Sequence, residues 1–184
     1  MREDLTDGRV TIRAYRMSDI PLLCDAVTES HAELSRWLPW CQLGYSVADS
    51  AAWVCNREEE WRKTAEFSFV ICDAMDHRFL GAVGLNRLDL PNRTGNLGWW
   101  VRSSATGRGV ATAAAQLCAQ FGFEDAGLDR IEIICATSNF PSIRVAEKLG
   151  AAREALLRRR IVIDNQTHDA LLFALLRGEL HALP

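Results

Sequence analysis

The sequence predicts one α/β domain built on a mixed, mostly antiparallel sheet. Strand-like segments occur at both ends of the chain and in its middle, and helical segments separate several of them. Turn residues at short intervals further indicate a meander of three consecutive antiparallel strands. The chain has 184 residues, of which 48% are hydrophobic, so it can bury one sizeable core without a second domain. We therefore expect a single domain over residues 1–184.

The first half of the chain predicts a strand, two helices and the meander. The segment RVTIRAY alternates as a strand does, and a helix then begins at Ser18 and ends near His31. Ser46 and Asp49 have the spacing of a capping box, which predicts the start of a second helix. Between these helices, ELSRWLPWCQLG is typical of a short helix and a loop. The meander strands read FSFVICD, FLGAVGLNRLDL and NLGWWVR.

The second half predicts a helix, a strand, another helix and a terminal hairpin. The helix covers residues 111–127, and the β-branched segment RIEIICA forms the next strand. A helix follows over residues 141–149, with Gly150 in the C-cap position. The segments EALLRRRIVI and THDALLFALL flank a turn at Asp164, Asn165 and Gln166. In total we expect seven strands and about four helices, with the run Arg158, Arg159 and Arg160 on an exposed strand.

Composition excludes several classes of protein. A formal net charge of -3 and a pI near 5.8 argue against a nucleic-acid binder. The N-terminus MREDLTDGRV lacks the apolar run of a signal peptide, and no segment approaches the roughly 18 apolar residues of a membrane span. We therefore expect a cytoplasmic protein without a membrane partner.

The cysteines and histidines do not have the spacing of a metal site. The cysteines occur singly, without a C-x-x-C pair, and are expected to be buried small hydrophobic side chains. The histidines are too dispersed to ligate a metal together. These residues are Cys24, Cys41, Cys55, Cys72, Cys118, Cys135, His31, His77, His168 and His181.

The segment WWVRSSATGRGVATAAAQ contains the most informative motif. An apolar strand leads into a turn with Gly107 and Gly109, which lie just before Val110 and an alanine-rich helical segment. Glycine lets the backbone approach a ligand, and the first amides of a helix have no intrahelical partner, so the turn suits a phosphate. Glycine before a helix is also ordinary loop chemistry. A dinucleotide fingerprint fits poorly, because Thr112 occupies the position of its third glycine.

In this order of elements, the turn resembles the acetyl-CoA motif Q/R-x-x-G-x-G/A of the Gcn5-related N-acetyltransferases. Here the motif reads TGRGVA, so both small positions match, but Thr106 stands where the family has Gln or Arg. A second match, NFPS followed by IRVAEKLGA, resembles the family segment N-x-x-S-x-x-x-x-x-K-x-G. The resemblance extends from Val10 to Leu176.

The resemblance implies a binding site for acetyl-CoA between the fourth and fifth strands, which splay apart in this family. The pantetheine arm would pair with the fourth strand, and the turn amides would hold the pyrophosphate. For at least one of Trp99 and Trp100, the alternative role is core packing. For Arg108 the alternative is exposure to solvent, and for Asn139 it is helix capping. The residues implied are Trp99, Trp100, Val101, Gly107, Arg108, Gly109, Val110, Ala111, Thr112, Asn139 and Ser142.

The segments WLPW and GWWV, together with the pair HD near the start of the last strand, resemble the RimJ/RimL-type branch, which acetylates the N-termini of ribosomal proteins. In that branch a serine at the position of Ser142 is proposed to protonate the departing thiolate. Other members use a tyrosine, whose position is Ala146 here. The positions of the family's general bases hold Asn96 and Ile161. The remaining candidates for a base acting through water are Glu33, Asp89 and His168.

The lack of an evident base favours an acceptor of low pKa. An N-terminal α-amine is roughly a third deprotonated at pH 7.5, whereas a lysine is only about 0.1% free amine. We therefore expect an acetyl-CoA-dependent N-acetyltransferase for the N-terminal α-amine of a ribosomal protein, without a metal and with homodimer formation left open. Two alternatives remain: acetylation of a small amine such as an aminoglycoside, or a non-catalytic acyl-CoA-binding sensor, which the departures at Thr106, Ala146 and Ile161 favour.

Overall fold

A computed structural model describes residues 2, 4–163 and 165–180. The strands are β1 (Asp4–Thr6), β2 (Val10–Ala14), β3 (Phe67–Asp73), β4 (Phe79–Asp89), β5 (Thr94–Val101), β6 (Arg130–Ala136), β7 (Ala152–Ile163) and β8 (Gln166–Leu176). They form one sheet in the order β1-β2-β3-β4-β5-β6-β8-β7. Every neighbouring pair is antiparallel except β5 and β6, which are parallel. The mixed, mostly antiparallel sheet and its meander β3-β4-β5 are as predicted.

Six α-helices lie beside this sheet in the part of the chain that the structure describes. They are α1 (Asp19–Glu29), α2 (His31–Leu34), α3 (Val47–Cys55), α4 (Arg57–Arg62), α5 (Val110–Glu124) and α6 (Phe140–Lys148). A 3-10 turn, Ser103–Ala105, connects β5 to the loop before α5. None of the helices among the described residues is long and apolar enough to span a membrane.

The expected numbers of strands and helices were each too low. The additional strand, β1, has only three residues and pairs back on β2, so it is too short to show an alternating pattern. The second predicted helix is divided into α3 and α4 at Asn56. The side-chain nitrogen Asn56 Nδ2 donates to the carbonyl of Ala52 (2.9 Å), which would otherwise accept from the backbone amide of Asn56 in a continuous helix.

Local signals in the sequence marked several boundaries well. The capping box is present, since Ser46 Oγ accepts from the Asp49 amide (3.4 Å) and Asp49 Oδ2 accepts from the Ser46 amide (2.9 Å). The strand RIEIICA is β6 without a change of bounds. Asn165 has φ 58° in the turn of the last hairpin, while Asp164 of the same predicted turn lies outside the described residues.

Two hydrophobic cores hold helices against the two faces of the sheet. On one face, α5 and α4 contribute to an aromatic cluster of Trp61, Phe67, Phe69 and Phe121, with ring centroids 5.0–5.6 Å apart. On the other face, α1 and α3 pack on the sheet through a second cluster that includes Leu23, Val27, Val54, Val70 and Phe79. The sheet is therefore fixed from both sides, and its strands form a rigid frame.

A buried ion pair fixes the start of α1. Both Arg13 Nη atoms donate to the Asp19 carboxylate at 2.7 Å, and the backbone amide of Arg16 donates to the same carboxylate. The Asp19 side chain is only 1% exposed. This bidentate geometry offsets the cost of burying the two charges, and it connects β2 to the helix that follows.

The cysteine prediction holds for four of the six positions. Cys41, Cys72, Cys118 and Cys135 are buried, whereas Cys24 is half-buried and Cys55 is exposed near the end of α3. The prediction for Cys55 was therefore wrong, because the helix turns that position toward solvent before it breaks at Asn56.

The arginine run forms a β-bulge and not a regular strand. Between the pairs Leu157↔Ala170 and Ile161↔His168, β7 has more residues than β8. The middle residue, Arg159, has φ 51°, and its amide donates to Asp169 Oδ1 (2.8 Å). All three arginines are exposed, as expected.

Candidate active site

The central feature of the site is a gap between β5 and β6. These strands pair at only three positions, Thr94↔Arg130, Gly95↔Ile131 and Asn96↔Glu132, and then diverge. Beyond Asn96, β5 continues beside β4, and β6 continues beside β8. Because alternate residues of a strand direct their N–H and C=O groups to the same side, residues 97–101 present unpaired backbone groups to the gap. The predicted splay of two strands is confirmed.

Two helices begin at the open end of this gap. The chain leaves β5 through the 3-10 turn and enters α5, and it leaves β6 through Asn139 and enters α6. The first amides of each helix have no intrahelical partner and carry the positive end of the helix dipole. The gap therefore opens where the carboxyl ends of two parallel strands meet two helix N-termini, a place that suits an anionic ligand.

The turn before α5 has the backbone that a phosphate cradle requires. Gly107 and Gly109 have φ values of 73° and 79°, in the left-handed region that favours glycine. A Cβ atom on Gly107 would meet nothing within 4 Å, so the space above the turn is open. The first amide with an intrahelical partner is that of Ala113, which donates to the Gly109 carbonyl (3.0 Å). The amides of Val110, Ala111 and Thr112 precede it and remain for a ligand.

Thr106 does not direct its side chain into this cradle. Its hydroxyl donates to the carbonyl of Ser103 (2.9 Å) and so faces the 3-10 turn. Arg108, two residues after Thr106 in the same turn, is exposed. The groups that this turn leaves open are therefore its backbone amides and the exposed Arg108 side chain.

Contacts with α1 and α2 fix the approach to the turn. The Arg102 guanidinium donates to Glu29, whose carboxylate also accepts the Ser104 amide (2.9 Å). These donors, with Arg102 first, lower the pKa of Glu29 to about 2, so this carboxylate is charged throughout the neutral range. Ser103 Oγ donates to Glu33 Oε2 (2.8 Å). Glu33, a candidate base, thus takes part in the support of the 3-10 turn.

The two tryptophans of β5 pack on opposite faces of the sheet. Trp99 packs against the core beneath α5. Trp100 contacts Phe79 and Trp40, with ring centroids 6.1 Å apart in each pair. Both side chains are half-buried, so both contribute to packing, and only the backbone of these residues lies along the gap.

Asn139 and Ser142 lie on the β6 side of the opening. Asn139 Oδ1 accepts from the Ser142 amide (3.2 Å), which confirms the predicted helix cap. The Ser142 hydroxyl makes no hydrogen bond to any other residue that the structure describes. Ala146, one turn further along α6, is fully buried. Ser142 is therefore the hydroxyl of this helix turn that is available to a ligand.

The structure separates the candidate bases. Asp89 lies in the β4–β5 hairpin at the closed end of the gap, where hydrogen bonds from Asn92 lower its pKa. His168 is half-buried on β8, opposite Ile161. Neither residue lies at the apex of the gap, which is the point where β5 and β6 begin to diverge.

The apex instead holds Asn96 and Glu132, which are register partners. Asn96 Nδ2 donates to Asn86 Oδ1 (3.0 Å), and Glu132 accepts from Arg130 Nε (3.1 Å). The sequence analysis did not identify Glu132, because its position opposite Asn96 depends on strand register. An alternating strand pattern shows which residues share a face but not which residue of another strand each one meets.

A second cleft of about 400 Å³ adjoins the sheet between the α2–α3 loop and the tip of the last hairpin. It is lined by Ser35, Arg36, Trp37, Leu38, Pro39, Cys41, Gln42, Leu43, Val162, Ile163 and Asn165. Among these described residues, Arg36 is the one charged side chain. Trp40 of the same loop contacts Trp100 of β5, so the loop that lines the cleft also lies against the strand that borders the gap.

Among residues 2, 4–163 and 165–180, no three His, Cys, Asp or Glu side chains are grouped so that they could hold a metal ion. His181, one of the four histidines considered, lies outside these residues.

Comparisons with known proteins agree with this geometry. The family model for the acetyltransferase (GNAT) domain matches residues 9–152. The chain is 34% identical over 175 residues to the N-acetyltransferase YnaD of Bacillus subtilis, covering 95% of this chain and 98% of YnaD. It is 25% identical over 163 residues to the ribosomal-protein-serine acetyltransferase of Escherichia coli, covering 89% and 90% of the two chains.

A solved structure has the same fold. RimJ of Mycobacterium smegmatis, in complex with CoA-disulfide, aligns with a TM-score of 0.85 at 29% identity, over 95% of this chain and 85% of RimJ. The open gap, the glycine turn and the two helix N-termini fit the extended arm and the phosphates of such a ligand. The chain belongs to the GNAT family of acetyltransferases, and it is an N-acetyltransferase.

Proposed function

We propose that the protein transfers the acetyl group of acetyl-CoA to the N-terminal α-amine of a ribosomal protein. The amine attacks the thioester carbon directly, the tetrahedral intermediate loses the CoA thiolate, and no acyl-enzyme forms. A relative that acts on ribosomal-protein serine, at 25% identity over most of both chains, supports this class of acceptor.

The donor is held mainly by backbone. In this proposal the pantetheine arm pairs with Trp99, Trp100 and Val101 as an added strand, a mode of recognition that uses main-chain hydrogen bonds. The pyrophosphate accepts from the turn amides between Gly107 and Thr112. An amide of β5 that faces the gap polarises the thioester carbonyl and stabilises the oxyanion.

Ser142 acts on the leaving group. Its hydroxyl makes no hydrogen bond to another described residue, and its backbone amide is fixed by the Asn139 cap in the first turn of α6. It donates a proton to the departing sulfur, whose thiol pKa is about 8.5 when unperturbed, and the serine oxygen regains a proton from the ammonium group that forms when the amine attacks. Because a thiolate of this basicity can also leave unaided, the contribution of Ser142 is moderate.

We place the acceptor in the second cleft, and the charge of this cleft is the observation that favours a peptide α-amine. Its described lining is apolar or neutral apart from Arg36. An aminoglycoside or a polyamine has several positive charges and would meet a cation there without an acidic partner. A peptide N-terminus brings one amine, which must be neutral to react, followed by a backbone and side chains that an apolar cleft with aromatic residues can accommodate.

The acid–base properties of an α-amine suit this site. At pH 7.5, reaction without an enzymic base costs under about 1 kcal/mol for an α-amine of pKa 7.7–8.0, and about 4 kcal/mol for a lysine of pKa 10.4. The positions of the two family bases hold Asn96 and Ile161. The chemistry therefore favours the acceptor that is already partly deprotonated.

The acceptor prediction is tested by thiol release with three classes of amine. We expect turnover with peptides that carry ribosomal-protein N-termini, and little turnover with the same peptides blocked at the α-amine or with aminoglycosides and polyamines. For a reactive peptide, log(kcat/KM) should rise with unit slope and level off near pH 8, where the α-amine itself titrates.

Two results would contradict this prediction. Faster turnover of a polyamine or aminoglycoside than of any peptide would show that the acceptor is a small cation. A plateau between about pH 6 and 7 for a peptide amine of higher pKa would reveal an enzymic base, and His168 would then be the first residue to substitute.

The donor site is tested by Gly109→Glu, with Gly127→Glu as the matched control. Both glycines have left-handed φ values, 79° and 71°, and lie at opposite ends of α5, so the two variants share the backbone strain and the added charge. We expect Gly109→Glu to weaken CoA binding at least tenfold, about 1.4 kcal/mol, in calorimetry, and Gly127→Glu to retain the wild-type affinity. Equal affinities in the two folded variants would show that the phosphates bind elsewhere.

The role of Ser142 is tested by Ser142→Ala beside Ser138→Ala, an exposed serine just before the helix cap. We expect Ser142→Ala to lower kcat by about 10- to 100-fold, at or below the low end of general acid catalysis, with CoA affinity nearly unchanged. Ser138→Ala should leave both unchanged. A wild-type kcat for Ser142→Ala, with chemistry shown to be rate-limiting, would remove Ser142 from the mechanism.

A further inference from the structure

Arg9 reaches the phosphate turn from a distant part of the sequence. It lies in the loop between β1 and β2, and its Nη2 atom would be 3.6 Å from a Cβ atom on Gly109. A cavity of about 150 Å³ lies at this junction, and Arg9 and Arg108 both line it. The remaining lining residues are Val10, Asp73, Leu80, Ala105 and Val110. Two guanidinium groups therefore border one small space beside the first turn of α5.

Among the residues that the structure describes, Arg9 has no strong partner that would keep it from a ligand. Its nearest acid is Asp7, at 3.8 Å from Nε, and its side chain is 68% exposed. The Asp7 carboxylate instead accepts the backbone amides of Arg9 and Val10, both at 2.8 Å, and so shapes the loop. Arg9 is thus held in place by its backbone while its guanidinium remains available.

The acid that lines the same cavity is also occupied. Asp73 accepts the amide of Met75 (2.9 Å), and the hydrogen bonds from the amides of Met75 and Asp76 are the main cause of its lowered pKa. Both of these backbone hydrogen bonds end on Asp73 Oδ1, and among the described residues the carboxylate makes no hydrogen bond or ion pair within 4 Å to Arg9 or Arg108. A dianionic group in this space would meet two cations as well as the helix amides.

We propose that Arg9, together with Arg108, binds the pyrophosphate of the donor and takes the place of the long polar side chain that is absent at Thr106. The Thr106 hydroxyl is committed to the Ser103 carbonyl, so position 106 offers no donor to the ligand. Arg9 supplies that donor from a different element, and it faces the turn beside Gly109. This inference rests on the donor site proposed above.

The first test measures CoA affinity of Arg9→Ala, Arg108→Ala and the double variant by calorimetry. Arg153→Ala is the control, since Arg153 is exposed and lies on the edge strand β7 at the far side of the sheet. We expect roughly a tenfold loss for each single variant, a larger loss for the double variant and a partial loss for Arg9→Lys, because a charged hydrogen bond to phosphate is lost or weakened. The control should bind as the wild type does.

The second test identifies the phosphate. Dephospho-CoA lacks the 3′-phosphate but keeps the pyrophosphate, so Arg9→Ala should lose affinity for it by the same factor as for CoA. S-acetylpantetheine has no phosphate, and its kcat/KM as a donor should be equal in Arg9→Ala and the wild type. Unchanged CoA affinity in Arg9→Ala, a loss that vanishes with dephospho-CoA, or an equal loss with S-acetylpantetheine would each overturn the assignment. Failure of the wild-type protein itself to bind CoA would instead contradict the proposed donor site.

Discussion

The limited pairing of β5 with β6 is the constraint on which the rest of the site depends. Three residue pairs hold the parallel strands together, and beyond them each strand is retained by its other neighbour, β4 or β8. Unpaired backbone groups away from water are costly, and an open strand edge is a template for another extended chain. The gap therefore depends on β4 and β8 to hold its two borders apart, and in the donor complex that we propose the ligand supplies the missing hydrogen bonds.

This arrangement divides recognition between backbone and side chains. On the donor side, the strand edge and the helix amides can hold an extended arm and its phosphates, while β-sheet geometry and the glycines of one turn define the site. In the donor site that we propose, the turn amides and Arg9 together compensate for the departure at Thr106. The second cleft, where we propose that the acceptor binds, is built from side chains of a loop and a hairpin tip, so its chemistry is defined by those side chains.

The sequence predicted local features best, because caps and element boundaries depend on residues that are close together along the chain. The capping box at Ser46, the cap at Asn139 and the bounds of β6 all follow from local patterns, and the structure has them as predicted. The glycine turn and the splay were identified by resemblance to a family motif. What remained hidden depends on register and on long-range packing: the pairing of Asn96 with Glu132, the β-bulge at Arg159, and the approach of Arg9 to Gly109. No local pattern in a single sequence encodes these contacts, because each brings together segments that are far apart in the chain or sets the offset between paired strands.

The most direct test of the central claim is amide hydrogen exchange in the presence and absence of CoA. If the gap between β5 and β6 receives the donor, alternate amides between residues 97 and 101 and the amides of residues 107–112 should gain protection on binding. The amides of residues 94–96, which already lie beside a paired β6, should change little. Protection confined to other parts of the sheet, or unchanged exchange along β5 at saturating CoA, would contradict the account.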